Sequence, residues 1–305
     1  MIDNKQVIDN NTELLSVRRG NAFGFGFFRM LLRTLGLRGA GAFLWPVAFF
    51  YALFDRTARE RARPVMDCLH PQESALRRFW HTWRLFTNQG RAILLANYLS
   101  DSGKEITVIT EKDPAAVPLT DTAEQPVVVV SSHFGAWQAA FINSRLIRRS
   151  ITFLDRPDLK AVLDKFQTVR AEAGQVAEIT QNQSSTGGLV EAMNALMRKE
   201  MVGMMGDRAI GGTAVRLPFG AGELDFLASP WLLAARTHAP VLVFLVGLDW
   251  EKKEIICRFS QPILPADIPE RRIRPDDLRP AIAAYAREIE QFCRRFPDQW
   301  FKFEG

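Results

Sequence analysis

The hydrophobic pattern downstream of residue 70 alternates between short apolar runs and longer amphipathic stretches. The short runs predict strands at 106–110, 126–131, 151–154, 201–205, 215–219, 240–248 and 254–259. Apolar residues spaced three or four apart predict helices at 73–99, 136–149, 158–173, 186–199, 229–237 and 276–296. Because strands alternate with helices, the pattern predicts an α/β domain with a mixed, largely parallel central sheet flanked by helices.

The pattern of the N-terminal region is different, because arginines are interspersed through very apolar sequence. Nine arginines lie between residues 18 and 63, against two acidic residues, and the run Gly39 to Phe54 carries no charge. At 16 residues this run is shorter than the ~20 needed to cross a bilayer, and Pro46 interrupts it. We therefore expect a helical region that lies on, or dips into, an anionic membrane surface.

Two other interpretations of this region are possible from the sequence. A buried core hairpin is the first, since short apolar runs are often core. Nucleic-acid binding is disfavoured, because the basic residues alternate with aliphatic and aromatic blocks that offer no polar groups for reading bases. The predicted organisation is a polar tail over 1–17, membrane-docking helices over 18–66 and the α/β domain over 67–305.

Composition narrows the class of protein. With 305 residues, 47% of them hydrophobic and 24% charged, the chain is long enough and apolar enough for a large ordered core. Its three cysteines are far apart without a CxxC pair, which argues against a disulfide framework or structural zinc and fits a reducing compartment. The polar start of the sequence does not have the pattern of a secretory signal.

The first candidate for chemistry is the segment around His133. A run of valines predicts a strand that ends at Ser131, and Gly135 leads into an apolar helical stretch, so His133 falls in a strand-to-helix turn. A histidine there can act as a general base, with the N–H groups of a helix start nearby to stabilise an oxyanion. The alternative is a polar residue that only caps the helix.

Other kinds of site find less support in the sequence. His70, His81 and His238 are interpreted as structural, and no cluster with metal-ligand spacing is apparent, so no metal is expected. A hydrolase that pairs Ser131 or Ser132 with the histidine is disfavoured, because adjacent side chains on a strand point to opposite faces. The sequence contains no GxSxG elbow, P-loop or GxGxxG motif.

Several blocks together resemble one known family. In chain order they are His133-Phe-Gly-Ala-Trp-Gln138, Arg156-Pro157, Arg170, Gly206-Asp207-Arg208, Pro218-Phe219-Gly220, Ala234-Ala235, Ala239-Pro240-Val241 and the ending Phe296-Pro-Asp-Gln-Trp-Phe301. Their order and spacing resemble the lysophospholipid acyltransferase superfamily, in its branch of bacterial lipid A late acyltransferases. The resemblance covers roughly residues 18 to 303, and the ending is similar to a branch found near or fused to glycosyltransferases.

This resemblance implies a glycerol-phosphate-acyltransferase-like fold and an acyl transfer reaction. A fatty acyl group would pass from an acyl carrier protein or coenzyme A thioester, as co-substrate, to a hydroxyl of a membrane glycolipid such as a lipid A-like acceptor in lipopolysaccharide synthesis. No other cofactor is implied. The expected location is the cytoplasmic face of a bacterial inner membrane, as a peripheral or monotopic protein.

The resemblance also implies roles for individual residues. His133 would be the general base, and Arg156 and Arg170 would lie near an acceptor phosphate or the oxyanion, although solvated surface arginines are the alternative. Asp207 and Arg208 would lie in the site at a strand end, or else form a structural ion pair. Phe219 and Gly220 would form a turn beside the acyl groove.

Two positions depart from the family pattern, and one of them is Ala136, which stands where the family has asparagine. The family has a carboxylate five residues after the histidine, whereas this chain has Gln138, which can accept a hydrogen bond but supplies no charge. Either the enzyme works slowly with a neutral partner, or the chain is a catalytically silent lipid-binding homologue that acts in an envelope lipid pathway. The third interpretation is that another acid serves, and the candidates are Asp155, Asp207, Glu223 and Asp225. A carboxylate close to the histidine ring in the fold would favour an active enzyme.

Overall fold

The computed structural model describes residues 22–102, 106–122, 125–142, 151–155, 179–181, 188–209, 213–264 and 273–303. It divides into two compact units, Met1–Leu44 and Trp45–Gly305, and the first of them is described from residue 22 onward. The division of the sequence at residues 17 and 66 stays a prediction.

The chain begins, within the described residues, with a long apolar helix. Helix α1 spans Ala22–Phe54 and has a kink at Gly36, whose φ of 66° lies in the left-handed region that glycine adopts without strain. The expectation that Pro46 interrupts this segment was wrong, because the helix continues through the proline to Phe54. Its part Gly26–Phe54 is long enough and apolar enough to cross a membrane, although a buried core helix meets the same two criteria.

Two more helices precede the sheet. Helix α2 spans Arg56–Leu69, and its first turn is capped by Asp55, whose side chain accepts a hydrogen bond from the backbone N–H of Ala58 at 2.9 Å. Helix α3 spans Ala75–Ser102 and matches the predicted helix at 73–99. The short connection between the two helices brings His70, at the end of α2, to the first half of α3.

The central sheet has seven strands among the described residues. They are β1 (Thr107–Lys112), β2 (Val127–Ser131), β3 (Ile151–Asp155), β4 (Ile179–Gln181), β5 (Met201–Met205), β8 (Val241–Asp249) and β9 (Glu254–Phe259). Their order across the sheet is β1-β9-β8-β2-β5-β3-β4, and every pairing is parallel except that of β8 with β9. The predicted mixed, largely parallel sheet is therefore confirmed.

A hairpin and short helices complete the described fold. Strands β6 (Ala214–Phe219) and β7 (Gly222–Leu227) pair antiparallel apart from the central sheet. The remaining α-helices are α4 (Val117–Asp121), α5 (Trp137–Ile142), α6 (Leu189–Met197), α7 (Ser229–Thr237) and α8 (Arg279–Arg295). The helix predicted at 158–173 lies outside the described residues, and so does the end of the one predicted at 136–149.

Burial in the sheet core explains the continuous apolar runs of the central strands. All five residues of β2 are buried, and so are the first eight of the nine residues of β8. Central strands covered on both faces need no alternation of polar and apolar residues, and they read as continuous apolar runs. Where β2 and β5 end, at Ser131 and Met205, the sequence becomes polar within two residues.

Candidate active site

The candidate site lies where two parallel neighbouring strands end. Strands β2 and β5 pair in parallel with Ser131 opposite Met205, so the residues that follow each strand meet at the same edge of the sheet. His133 comes two residues after β2, and Asp207 comes two residues after β5. Equal offsets from paired residues place the two side chains side by side, at the carboxyl edge where sites of α/β proteins usually form.

Asp207 contacts His133 through both of its carboxylate oxygens. The ring Nδ1 of His133 lies 2.8 Å from Oδ1, and the backbone N–H of His133 donates to Oδ2 at 2.9 Å. A third donor, the indole Nε1 of Trp300, reaches Oδ2 at 3.1 Å. Three hydrogen bonds on two oxygens fix the carboxylate in position, and the carboxylate fixes the orientation of the imidazole.

The carboxylate of Asp207 is fully buried yet remains ionised. Burial by itself would raise its pKa, but the adjacent His133 ring, the hydrogen bonds from His133 and the nearby Arg208 outweigh burial and hold the pKa of Asp207 well below its usual range. The His133 side chain is 12% exposed, and that of Asp207 is not exposed at all. The pair therefore combines a buried negative charge with an imidazole at the edge of solvent.

The C-terminal segment 298–303 is hydrogen-bonded to the backbone around both members of this pair. The backbone N–H of Phe301 donates to the carbonyl of His133 at 2.7 Å, and that of Gly135 donates to the carbonyl of Gln299 at 2.8 Å. The buried ammonium of Lys302 donates to the carbonyl oxygens of Asp207 at 2.7 Å and of Asp225 at 2.8 Å. Both halves of the candidate site are thus held by one short stretch of chain.

The sequence does not predict that this segment belongs to the site. The block Phe296–Phe301 resembles a family ending, and nothing in its pattern indicates a contact with His133. One signal was present, namely a lysine and a tryptophan among apolar aromatic residues at the end of a helix. Neither the burial of Lys302 nor the direction of the Trp300 indole can be read from the sequence, because both depend on strands far away along the chain.

The turn itself requires glycine at position 135. Gly135 has a φ of 51°, and a Cβ atom there would lie 2.2 Å from the carbonyl oxygen of Val246. Only glycine combines that backbone conformation with so close an approach to β8. Packing therefore requires glycine at position 135, and the turn so formed holds His133 against the sheet edge.

Gln138 is not the partner of the imidazole. It lies in the first turn of α5, half-buried, and within the described residues no hydrogen bond joins it to the His133 ring. The ring nitrogen that Gln138 was expected to contact is taken by Asp207. Its role in catalysis stays a prediction, but its side chain does not supply the hydrogen bond on which that prediction depended.

Two of the other three candidate acids lie elsewhere. Glu223 and Asp225 lie on β7, where both side chains approach Arg216 at 3.3 and 3.5 Å on the exposed side of the hairpin. Asp155 is the last residue of β3. Among the residues that the structure describes, Asp207 is the acid that contacts the His133 ring.

The remaining predicted site residues divide into three groups. Arg208 donates through Nη2 to the carbonyl of Phe301, so it supports the same segment that covers His133. Phe219 is buried with its ring 4.8 Å from that of Trp300, and Gly220 forms the hairpin turn against the carbonyl of Cys68. Arg156 and Arg170 lie outside the described residues.

Comparison with known protein families accounts for nearly the whole chain. The family model described as bacterial lipid A biosynthesis acyltransferase matches residues 11–304. The chain belongs to this family. The protein is therefore an acyltransferase, as the sequence motifs predicted.

Two further comparisons add little. Among solved structures, the chain is similar to the 1-acyl-sn-glycerophosphate (LPA) acyltransferase PlsC from Thermotoga maritima, with a TM-score of 0.37 and 11% sequence identity. That match covers 85% of this chain and 97% of the other. A comparison with curated protein sequences finds no match.

For this acyltransferase, the hydrogen bond from Trp300 to Asp207 gives a prediction. Trp300→Phe keeps a large aromatic ring beside Phe219 but removes the N–H donor to the carboxylate. A hydrogen bond to a charged group contributes about 1.5–3 kcal/mol to stability. Because this one also positions the carboxylate that stabilises the imidazolium, we expect an effect of similar size on the barrier to transfer and a fall in kcat of roughly 10- to 100-fold. Initial rates of acyl transfer, measured beside the thermal unfolding temperature, check this expectation.

A matched control separates positioning from packing. Trp231 is another buried tryptophan, and its Nε1 has no hydrogen-bond partner among the described residues. We expect Trp231→Phe to leave kcat within about twofold of the wild type, and Trp300→Phe to change the pH dependence of the rate. Equal losses in both variants, in proportion to lost stability, would mean that Trp300 contributes packing alone.

Proposed function

We propose that this acyltransferase moves a fatty acyl chain from an acyl thioester to a hydroxyl group of a membrane glycolipid, with His133 as the general base. The thioester is that of an acyl carrier protein or of coenzyme A. The observation that carries the proposal is the buried, ionised Asp207, which binds both the ring and the backbone of His133. A hydroxyl is a poor nucleophile, and this arrangement supplies the base that it needs.

The geometry supports direct transfer in one addition and one elimination. Because Nδ1 of His133 faces Asp207, Nε2 is the ring nitrogen that takes the proton of the acceptor hydroxyl. The hydroxyl oxygen then bonds to the thioester carbonyl carbon, and the electron pair moves onto the carbonyl oxygen. When the carbonyl re-forms, the carbon–sulfur bond breaks, and the imidazolium returns its proton to the departing thiolate. The negative charge of Asp207 stabilises the imidazolium between these two steps.

An acyl-enzyme on Ser131 is not favoured by the geometry. The hydroxyl of Ser131 is buried and donates to the carbonyl of Phe244 at 2.8 Å, so it serves the pairing of β2 with β8. Direct attack by the acceptor hydroxyl needs no such intermediate, and His133 with Asp207 suffices for it.

The catalytically silent alternative rested on Gln138. If the imidazole had no carboxylate partner, the chain would be better suited to binding lipid than to transferring an acyl group. The contact with Asp207 argues against that alternative, because a residue that follows β5 supplies the charge in place of residue 138. We further propose that Arg156 and Arg170 bind acceptor phosphate, and that the acceptor is a lipid A-like molecule on the cytoplasmic face of the inner membrane.

The test is a transfer assay with defined donors. Purified full-length protein in detergent is incubated with acyl carrier protein or coenzyme A thioesters and with lipid extract, and the products are followed by mass spectrometry. We expect a glycolipid whose mass rises by that of one fatty acid minus one water, with release of a free thiol. No acylated lipid with either donor, and no difference between lipids of cells with and without this chain, would contradict the proposal.

The N-terminal region gives a separate prediction about the membrane. Attachment should have an apolar part, from helix α1, and an electrostatic part, from arginines such as Arg56 and Arg63, whose side chains are 83% and 74% exposed. At 1 M salt the Debye length is only ~3 Å, which screens the second part and not the first. We expect salt washing to leave most of the protein on membranes, and detergent to release it.

Fractionation of cells checks this directly. Membrane pellets are washed with salt and then with detergent, and the protein is followed in each supernatant. Full-length protein that stays in the soluble fraction at physiological salt would mean that helix α1 is packed as core, and it would weaken the proposal of a membrane acceptor.

A further inference from the structure

A second cluster of chemistry-bearing side chains lies apart from the His133 site. His70 at the end of α2, Glu73 in the connection, His81 on α3 and Asp298 at the start of segment 298–303 meet in one place. The two imidazole rings stack with their centroids 3.7 Å apart and their planes at 17°. The sequence predicts a structural role for both histidines, because the closeness of their rings to each other and to Asp298 arises only in the fold.

Both rings lie between the same two carboxylates. The Nε2 of His81 lies 3.1 Å from Glu73 Oε2, and its Nδ1 lies 2.9 Å from Asp298 Oδ1. His70 repeats the arrangement more loosely, with Nδ1 3.6 Å from Glu73 Oε1 and Nε2 3.7 Å from Asp298 Oδ1. Both histidine side chains are 17% exposed, that of Glu73 is 27% exposed, and that of Asp298 is fully buried.

On one side of this cluster, two hydrogen-bond acceptors lie close together, one from His81 and one from Glu73. The Nδ1 of His81 makes a hydrogen bond with Asp298, so in the neutral ring Nε2 carries a lone pair. That lone pair faces Glu73 Oε2, a buried oxygen that accepts no hydrogen bond within the described residues. Two acceptors 3.1 Å apart repel each other unless a cation lies near both.

A proton and a metal ion would satisfy this arrangement differently. A proton on His81 Nε2 satisfies one pair of atoms only. However, His70 also turns a ring nitrogen toward Glu73, and one ligand atom from each of the three residues lies within 4.8 Å of the others. A divalent cation contacts all three atoms at once, which makes it the better match to three converging acceptors.

We propose that His70, Glu73 and His81 form a binding site for a divalent transition-metal ion of the zinc class. Two imidazole nitrogens with one carboxylate are a donor set that suits Zn²⁺, and a water molecule can complete four-coordination. Asp298 then accepts hydrogen bonds from the opposite ring nitrogens, the usual arrangement behind histidine ligands. Because ligand lone pairs lie in the ring planes, binding turns the two rings out of their stack.

The position of Asp298 gives the ion a structural consequence. Its backbone carbonyl accepts a hydrogen bond from Asn88 of α3 at 3.0 Å, and the next residues, Gln299 to Lys302, hold the turn of His133. A bound ion would therefore tie the α2–α3 connection to the segment that covers the transfer site. Anything that binds the folded chain and not the unfolded one raises its unfolding temperature.

The test measures binding on the full-length protein in detergent, and it does not depend on acyl transfer. Protein stripped with chelator is titrated with Zn²⁺ by calorimetry, and Co²⁺ is added separately to record its visible absorption. The variants are Glu73→Gln, which keeps the size of the side chain, and His81→Asn, which keeps an N–H donor for Asp298. His238→Asn is the control, because His238 lies at the end of α7, outside the cluster. Thermal unfolding is followed with and without Zn²⁺.

We expect one Zn²⁺ per chain in the wild type and in His238→Asn, with at least tenfold weaker binding in the two site variants. Zn²⁺ should raise the unfolding temperature of the wild type and of His238→Asn, and not that of the two site variants. Absence of binding at micromolar Zn²⁺, or equal binding in all four proteins, would overturn the proposal. An unfolding temperature that responds to pH and not to Zn²⁺ would also overturn it, in favour of a protonated histidine pair.

Discussion

His133→Ala is expected to lower the rate of acyl transfer by roughly 10²- to 10⁴-fold, the range that a general base contributes. The imidazole is held by Asp207 on Nδ1 and takes the acceptor proton on Nε2, and alanine offers no group for either task. The measurement is the initial rate with a thioester donor and a lipid acceptor at saturating concentrations of both. Membrane association should not change, because helix α1 is untouched.

Folding needs its own control, because alanine leaves the buried Asp207 carboxylate with fewer donors. His133→Asn keeps a side-chain N–H for that carboxylate and lacks a basic nitrogen, so it should be as inactive as the alanine variant while unfolding near the wild-type temperature. His238→Ala, at the end of α7, should retain wild-type activity. Wild-type turnover in His133→Asn would exclude His133 as the general base.

Much of the fold was readable from the sequence because the strands are buried on both faces. The apolar runs at 126–131, 201–205 and 240–248 became β2, β5 and β8, each within a few residues of its predicted bounds. The strand-to-turn position of His133 was equally readable, since a break from valines to Ser131 and then to a glycine marks the end of a strand.

The sequence identifies the acid that contacts His133 only as one of several candidates. Asp207 was one of four candidate acids, and sequence pattern alone could not rank them. The choice depends on β2 pairing in parallel with β5, in a register that places Ser131 opposite Met205. The residues of these two strands are separated by more than 70 positions, so no local periodicity carries that information.

In helix α1 the prediction was wrong for a different reason, namely that the rule that proline interrupts a helix does not hold at Pro46. Proline inside a helix removes one hydrogen bond and strains the preceding turn, so Pro46 predicts an interruption. The apolar residues on both sides of Pro46 continue the helix to Phe54, and the kink falls at Gly36 instead. Length must be judged on the whole helix, and Gly26–Phe54 meets the requirement for spanning that the 16-residue run alone did not.

The ionisation of Asp207 links the site to the stability of the fold. Because its pKa in the folded protein is held below the ordinary range, the carboxylate contributes stability that is fully present above the ordinary aspartate pKa. That contribution is lost as pH falls toward the lowered pKa. A neutral residue at position 207 removes this contribution, so the variant should unfold at a temperature that depends less on pH in the acid range.

Asp207→Asn is expected to lower kcat by about 10⁴-fold, the loss found when the acid of a serine-protease triad is made neutral. Asparagine keeps the size of the side chain and can still accept hydrogen bonds from the His133 backbone and from Trp300. It cannot stabilise the imidazolium formed during transfer, and it can present its NH₂ group to Nδ1 and so favour the wrong tautomer. An imidazolium without an adjacent carboxylate loses its proton more readily, so the acid limb of the pH–rate profile should move to lower pH.

Gln138→Glu is the matched comparison, because it introduces a carboxylate at the position where the family pattern has one. With Asp207 in place, a second carboxylate finds no ring nitrogen left to orient, and we expect it to leave the rate unchanged or to lower it. In the Asp207→Asn background the same substitution should restore at most a small part of the lost rate, since no hydrogen bond joins residue 138 to the ring within the described residues. A large gain from Gln138→Glu in the otherwise wild-type chain, together with a mild effect of Asp207→Asn, would show that the imidazole lacks charge support and that Asp207 serves the fold rather than the transfer step.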